Sequence, residues 1–588
     1  MVTGGYFLTT SIKDSQVFTP EKFSDIQIEF AKATREFALQ EILPQRDEID
    51  KLNKELSLAL MKSAGELGLL GVDVPEKYGG LAIDKVTSAL VVENITRGQC
   101  ASFTVTISAH TGIGTLPIVY FGTEAQRQKY LPKLTSGDWL SAYALTEPGS
   151  GSDALSIRTF AELSKDKKFY ILNGNKQFIT NGSWADVLIT FAKIDGEKLT
   201  AFILDPNADG ITKHEEKNKL GLHGSSTCNI ILENVKVPVE NVLGVIGEGA
   251  AIAFNSLDIG RFKLGAAVLG GCKNAVTESI KYGLERKQFG QPVVYFDAIK
   301  KKIADMMIRT FALDSIIYET ANLLDQSIAQ VEENSKNYSR EVAAAIEKFA
   351  VECSICKIYG SEAYWETADD GLQIFGGYGF IEDYPMAKAL RDTRVDRIYE
   401  GTNEINRQII LGYILKKTLL EELPVRQKIR ETIQLLNREK IDFGKSELAE
   451  QEKALEYGKH LTFYLLNKAL IRFGQDLVNE QQVGEILSDM IINLFLMNTT
   501  LSRVEQILTA GQKDAIYSNI AKVLIAEKNI EMVGLAKKAI THIEKPDSIG
   551  EAMKDIRFFE NKMDSKTDII AQKQEIADYL YRQQKYPF

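Results

Sequence analysis

The sequence predicts a mainly α-helical protein built around a central β domain, with helices, strands and helices in separate blocks. Three observations carry that prediction. Apolar residues recur at helical spacing through the first 138 positions, short apolar or β-branched runs alternate with turn residues from 139 to 245, and helical periodicity returns after Gly249 almost to the C-terminus. Strands gathered between helices, not alternating with them, argue against a doubly wound nucleotide-binding fold. At 588 residues the chain exceeds the size at which one apolar core stops growing. The expected units are an N-terminal helical domain (1–138), the β domain (139–245), a second helical domain (246–415) and an additional helical domain (420–588).

The N-terminal block starts at Thr19-Pro20-Glu21, which reads as a cap with proline at the first helical position, and Ile26, Phe30, Phe37 and Leu39 follow at near-helical spacing. Loops interrupt it at Glu76-Lys77-Tyr78-Gly79-Gly80 and at Gly122-Thr123. In the β block the clearest strands are 169–172, 187–192, 199–204 and 229–237, and Asn173-Gly174 predicts a hairpin turn. Gly244, Gly247 and Gly249 superficially resemble a dinucleotide loop, but they follow Pro238 outside any βαβ unit and read as a joint between domains. Past 420, glycine and proline become sparse while Leu, Ile, Glu, Lys and Gln take over, as suits a helical bundle. The most apolar window, 490–497, contains Asn493, follows Asp489 and is too short to span a bilayer, so it reads as a buried helix.

Composition narrows the function. Hydrophobic residues at 44% and charged residues at 26% are ordinary for a folded globular chain. The 70 Lys+Arg against 80 Asp+Glu give a formal charge of -10, the wrong sign for nucleic acid, though a local basic pocket for a phosphorylated small molecule is allowed. The first residues lack the look of a secretory or transit peptide, so the expected location is the cytoplasm of a bacterial-type cell, or the mitochondrial matrix for a processed eukaryotic chain. Five scattered cysteines suit a reducing compartment, and Cys353-x-x-Cys356 without a second ligand pair reads as helix thiols, not zinc.

Three segments are denser in glycines, hydroxyls and aromatics than packing requires. Residues 143–153, with Tyr143, Leu145, Thr146, Gly151 and Ser152, offer amides and hydroxyls to an electron-rich ring or phosphate. Phe178-Ile179-Thr180-Asn181-Gly182-Ser183 ends a strand with an aromatic, a hydroxyl and a turn. In 369–407, Gly376, Gly377 and Gly379 allow close backbone approach, and Arg391, Arg394 and Arg397 cluster before Glu400-Gly401-Thr402.

In this order, with Gly260-Arg261-Phe262 and Glu285-Arg286-Lys287-Gln288-Phe289-Gly290 between the second and third, these segments resemble the acyl-CoA dehydrogenase family from about Glu21 to Leu415. The resemblance implies a helical domain, a β-barrel or sandwich and a four-helix bundle. It also implies FAD as cofactor and oxidation of an acyl-CoA to its trans-2-enoyl-CoA, the α proton going to a carboxylate and the β hydride to flavin N5. The α C–H of a thioester is a far weaker acid than a carboxyl, so the carboxylate needs donors on the thioester oxygen as enolate charge develops. By resemblance Glu400 is that base, and its amide with a flavin ribitol hydroxyl are the donors. Some long-chain and isovaleryl-type members place the base just before the arginine matched by Arg261; this chain has Gly260 there. Tyr143, Leu145, Thr146, Gly151, Ser152, Phe178, Ile179 and Thr180 match flavin contacts, Ser152 also lying near CoA. Asp258, Arg261 and Gly401 match substrate contacts. Arg286, Gln288 and Phe289 match a segment reaching the FAD of a neighbouring subunit, Gln373, Gly376 and Gly377 the adenosine-side loop, and Thr402 and Glu404 the pyrophosphate and ribose contacts. A homodimer is therefore the expected minimum unit. Asp297 departs from the glutamine that shorter-chain members show in its stretch.

The tail beyond 420 resembles the very-long-chain branch and its complex I assembly relative, which implies a long or very long acyl-CoA and an electron-transfer flavoprotein as acceptor. Ser108-Ala109-His110-Thr111-Gly112-Ile113-Gly114 either deepens the acyl pocket by lacking large side chains or packs helices closely. His110 reads as a packed helix histidine. In the stretch matching that branch's membrane segment, 438–460, Glu447, Glu450, Glu452 and Glu456 stand among the lysines, so only weak attraction to an anionic bilayer is expected. Two alternatives stand beside the dehydrogenase, a catalytically weak scaffold or assembly protein and an acyl-CoA oxidase.

Overall fold

The computed structural model describes residues 3–332, 334–436 and 446–588. Helices Asp25–Phe37, Lys54–Glu66, Lys85–Ile95, Ala101–Ala109 and Glu124–Thr135 form most of the N-terminal unit. Its first long helix starts later than the sequence suggests. Thr19-Pro20 opens only a 3₁₀ turn, Pro20–Lys22, and the α-helix is nucleated by Ser24, whose hydroxyl and the Gln27 side chain reciprocally satisfy two end amides. A π turn, His110–Gly114, follows Ala109 directly.

The middle unit is an eight-stranded sheet: β1 Ser141–Ala144, β2 Phe160–Leu163, β3 Phe169–Thr180, β4 Val187–Ile194, β5 Lys198–Leu204, β6 Ile211–Glu215, β7 Thr227–Pro238 and β8 Val242–Leu243. The order is β6-β7-β3-β2-β4-β5-β8, with β1 parallel to β4. Asn173-Gly174 is not a hairpin turn, because β3 runs straight through it with a bulge against β7. A Cβ at Gly174 would stand 2.2 Å from Thr159 Oγ1, so the glycine answers to the close approach of β2's leader.

Gly244 and Gly247, both at positive φ, join the sheet to the 37-residue helix Gly249–Glu285. That helix packs with Asp297–Ile328 and Ala350–Phe375, and Asn403–Leu419 packs on Ala350–Phe375 to complete the bundle. Beyond it come Val425–Leu435, Ala449–Phe473, Gln481–Thr509, Ala515–Ile543, Ile549–Met563 and Ile569–Gln583. Residues 490–497 are all buried in Gln481–Thr509, as expected of an internal helix. The apolar core of this added unit is continuous with that of the bundle. The seam also holds a fully buried cation: Arg503 meets Asp314 at 2.9 Å and Glu21 at 2.7 Å and lies over the Phe311 ring.

Both chain ends are stitched to the bundle, Gly5 N–H donating to Glu352 and Tyr586 N–H to Thr277. The five cysteines are free and buried, and among the described residues no cluster could hold a metal and no helix is long and apolar enough to cross a membrane. Of the stretch read for membrane contact, 438–445 lie outside the described residues.

Candidate active site

The segment after the turn Arg394–Arg397 places Glu400 (φ 57°) and Gly401 (φ 80°) consecutively in the left-handed region. Such a conformation costs a non-glycine residue about 1 kcal/mol or more and persists only where the surroundings enforce it. Here they do. Arg261 Nε and Asn406 Nδ2 donate to the Glu400 carbonyl at 3.2 and 3.3 Å, while Asn406 Nδ2 and Lys357 Nζ both reach the Gly401 carbonyl at 2.8 Å. Thr402 then caps Asn403–Leu419 by accepting from the Ile405 amide.

The turn aims the Glu400 carboxyl at helix Gly249–Glu285. A Cβ at Gly260 would stand 2.6 Å from Glu400 Oε2, so the absence of a side chain at 260 makes the room the carboxyl occupies. Oε2 is shielded from solvent and has no hydrogen-bond partner among the described residues. Burial pushes the Glu400 pKa up to about 7, against the pull of Arg261 and Lys357. Lys357, fully buried, is drawn down to about 7 by burial, against Asp396 and Glu400. Asp258 and Arg261 are also buried and pair at 2.7 Å, bracing the loop from below.

Glu400 stands at one end of a cavity that encloses about 1420 Å³, counting the part open to solvent. Thr180, Gly260, Lys263 and Tyr399 line it near the carboxyl, and Thr104, Leu264, Ala267, Val268 and Gly271 beyond. In the small-residue stretch, Ser108, Ala109 and Ile113 line this cavity. Gly114 instead permits close packing, since a Cβ there would meet Ser141 Oγ at 2.3 Å. His110 belongs to the packing. Its Nδ1 accepts from the Ser141 amide, so Nε2 carries the proton that bonds the Leu134 carbonyl, and burial lowers its pKa to about 4. A neutral, doubly engaged imidazole is no proton shuttle at neutral pH.

From the sheet side, β1 brings Tyr143 near Glu400, whose charge adds to burial in raising the phenol well above its ordinary value. A bulge late in β3 sets Phe178 at φ 58° with 60% of its surface exposed, buries Ile179, and opens Thr180 into the cavity. Leu145 is buried and Thr146 half-buried, whereas Gly151 and Ser152 are exposed, and a Cβ at Gly149 or Gly151 would meet nothing. This loop is anchored by Glu147, which accepts from Arg158 N, Thr159 N and the buried Lys176.

Arg286 and Gln288 come together with Gly376 and Gly377 in a second cleft, where the Arg286 guanidinium lies over Tyr378. Gly376 has φ +60°, and open space surrounds both glycines. Phe289 is 93% exposed, and Gln373 and Glu404 are exposed nearby in sequence to their partners. The Arg286 cleft and the Glu400 cavity share no lining residue.

Sequence reading missed the supports. Lys357 and Asn406 sit in otherwise ordinary helices, and their only signal is a lysine inside an apolar helical run beside Cys356. Lys263, on the cavity wall, donates to Asp73 at 2.8 Å. Asp73 also takes Lys85 and Ser88, and the two lysines hold its carboxyl well below the usual range despite burial.

Models of the acyl-CoA dehydrogenase N-terminal, middle and C-terminal domains match residues 24–138, 142–235 and 247–415, and a further acyl-CoA dehydrogenase C-terminal domain matches 458–557. The chain is 39% identical to a probable acyl-CoA dehydrogenase of Bacillus subtilis, over 99% of this chain and 98% of that protein. It is 34% identical to the human mitochondrial very long-chain specific acyl-CoA dehydrogenase, over 76% of this chain and 70% of that one. The crystal structure of a Bacillus anthracis acyl-CoA dehydrogenase complexed with FAD superposes with a TM-score of 0.96 at 40% identity, covering both chains completely.

Proposed function

The chain belongs to the acyl-CoA dehydrogenase family of oxidoreductases, and from that premise we propose that it is an FAD-dependent dehydrogenase of long or very long acyl-CoAs in fatty acid β-oxidation. The observation that carries this reading is the Glu400 carboxyl, seated against Gly260 at the head of a long, mostly apolar cavity. Its raised pKa suits a base working near neutral pH.

The residues fit FAD. Phe178 offers an exposed aromatic face beside Thr180, the 145–153 loop presents exposed backbone, and the open glycines 376 and 377 with Arg286 suit the adenosine and phosphate end. Tyr143, Leu145, Thr146, Gly151, Ser152, Phe178, Ile179 and Thr180 would hold the flavin half; Gln373, Thr402 and Glu404 would complete the other. Because Arg286 and Gln288 line, with Gly376 and Gly377, a different cleft from Glu400, and Phe289 stands exposed next to them in sequence, this group is assigned to the FAD of a second subunit in a homodimer. FAD, when bound, would supply the hydride acceptor for the substrate β carbon and a ribitol hydroxyl as a further hydrogen-bond donor.

The chain does the rest. The cavity orders the acyl chain and excludes water, Glu400 takes the α proton, and its own amide donates to the thioester oxygen as charge develops there. Arg261, Asn406 and Lys357 fix the turn that presents both groups. Asp258 and Gly401, beside them, are assigned to the substrate, and an electron-transfer flavoprotein is the proposed acceptor.

The test is anaerobic addition of palmitoyl-CoA to the purified flavoprotein. Rapid bleaching of the visible flavin band is expected in the natural protein, with a loss of at least about 10³-fold in the bleaching rate for Glu400→Gln. A yellow protein that no acyl-CoA bleaches would leave the scaffold reading, and turnover sustained by O₂ alone the oxidase.

A further inference from the structure

The cavity that begins at Glu400 does not end blind. On helix Gly249–Glu285 its wall is one stripe, Gly260, Leu264, Ala267, Gly271, Ala275 and Glu278, whose ends lie 18 residue steps apart. At the rise of an α-helix that is ~27 Å. Helix Ala101–Ala109 faces the stripe in the opposite direction, as its flanks show: Lys263 Nζ approaches the Thr111 carbonyl at one end, and Asn274 Nδ2 donates to the Thr96 carbonyl at the other. Between these ends the wall is mostly aliphatic or small, with Val105, Ala101, Val268 and Ala275.

Past Ala275 the lining becomes polar, with Gln99, Asn274, Glu278 and Arg46. Asp47 and Glu382 line the same end with side chains 86% and 74% exposed, so the channel opens to water there. The guanidiniums at this mouth are turned onto neutral amides, Arg46 donating to Gln99 at 2.6 Å and Arg97 to Asn274 at 3.0 Å, and Lys388 lies between Asp50 and Asp392. Among the described residues, Glu278 is paired with the exposed Lys281, at 3.2 Å.

Building on the dehydrogenase reading above, we propose that the far mouth receives the ω end of the substrate, so that the enzyme takes long acyl-CoAs carrying a hydroxyl at that end. A hydroxyl halted in the apolar span loses its water without a partner, whereas at the mouth it meets Glu278, Gln99 and solvent. A hydroxyl both donates and accepts, and it suits this mixed set. A carboxylate would face Glu278, Asp47 and Glu382, three negative charges, while Lys388 is already paired and Arg46 and Arg97 are turned onto Gln99 and Asn274. Carbon–carbon bonds of about 1.5 Å advance somewhat less along a zigzag, so the ω atom reaches the mouth at roughly 20 carbons.

The experiment compares kcat/KM for plain and ω-hydroxy acyl-CoAs at dodecanoyl, hexadecanoyl and docosanoyl length, using the FAD-loaded enzyme. The hydroxyl is expected to cost about ten- to a hundred-fold at dodecanoyl length and less than about threefold at docosanoyl length. The ω-carboxy docosanoyl thioester should fare worse than its hydroxy counterpart. Glu278→Leu should restore a penalty of about fivefold or more to the hydroxy docosanoyl substrate, measured against the plain chain in the same variant. A penalty that does not shrink with length, or one untouched by Glu278→Leu, overturns the assignment of the mouth. Failure to oxidise plain chains of any length would instead overturn the dehydrogenase reading beneath it.

Discussion

Glu400 combines a left-handed backbone, a solvent-shielded oxygen without a partner and two nearby cations, and these pull its proton affinity in opposite directions. Burial wins, leaving the folded pKa at about 7 against an ordinary 4.5. Between those values the folded state binds the proton more tightly than the unfolded chain, so the stability this group contributes is full below pH 4.5 and is lost as pH rises through 7. The loss corresponds to at most about 3 kcal/mol. Glu400→Gln escapes it, and its melting temperature should exceed that of the natural protein at pH 8 and converge with it near pH 4, which thermal melts across that range would read. The same pKa sets the acid limb of kcat/KM near pH 7. Lys357 acts on that limb from behind: burial holds its own pKa at about 7, so it is partly charged there, and replacing it with Met removes a partial cation that favours the carboxylate and should move the limb up by roughly half a unit or less. Lys357→Arg, charged throughout this range, should move it down instead. A purely structural lysine would lower the melting temperature in both variants and leave the limb where it was.

At the scale of elements, the site is made by two that meet, the left-handed turn at 400–401 and the glycine at 260 on the long helix. Gly260→Ala would put a Cβ within 2.6 Å of the Glu400 carboxyl, which then has to leave its seat. The expected result is a fall in kcat of about a hundred-fold with a smaller change in KM, since misplacement of a reacting group by about 1 Å has that order of effect. Stopped-flow bleaching would separate it from weak binding. How much of this is legible in the sequence depends on what kind of signal each part leaves. Block order and the buried helix around 490–497 leave periodicities, and Glu400 stands in a recognisable string. The Ser24 capping box was readable too, yet Thr19-Pro20 gave the stronger local signal for a start that is only a 3₁₀ turn. Asn173-Gly174 shows the opposite limit: turn chemistry is local, but Gly174 is required by Thr159 on a neighbouring segment, which no local pattern records. Lys357, Asn406 and the polar mouth of the cavity are likewise products of tertiary approach, and as sequence they are residues of ordinary helices.

Across the whole molecule, the added helices and the dehydrogenase bundle share one apolar core, and the charge at their seam makes that union specific. Arg503 comes from the added unit, Asp314 from the bundle and Glu21 from the leader to the first long helix, so one fully buried guanidinium ties three distant parts of the chain. Asp314 is further bound to Lys273 at 2.7 Å, and Lys273 to Glu93 at 2.9 Å, which carries the network to the helix behind the acyl cavity. Breaking a buried pair from one side leaves the other charge unpaired in a poorly solvated place, at a cost of about 3–5 kcal/mol. Arg503→Met keeps much of the side-chain volume but leaves Asp314 with Lys273 alone and takes the guanidinium from the partly exposed Glu21, whereas Arg503→Met combined with Asp314→Asn and Glu21→Gln removes both of those carboxylates as well. The single variant should melt well below the natural protein, and the triple variant should recover a substantial part of the loss. If the seam holds only by apolar contact, both variants would melt within about half a degree of the natural protein, less than the roughly 1 °C that 1 kcal/mol produces in a cooperatively melting chain of 588 residues.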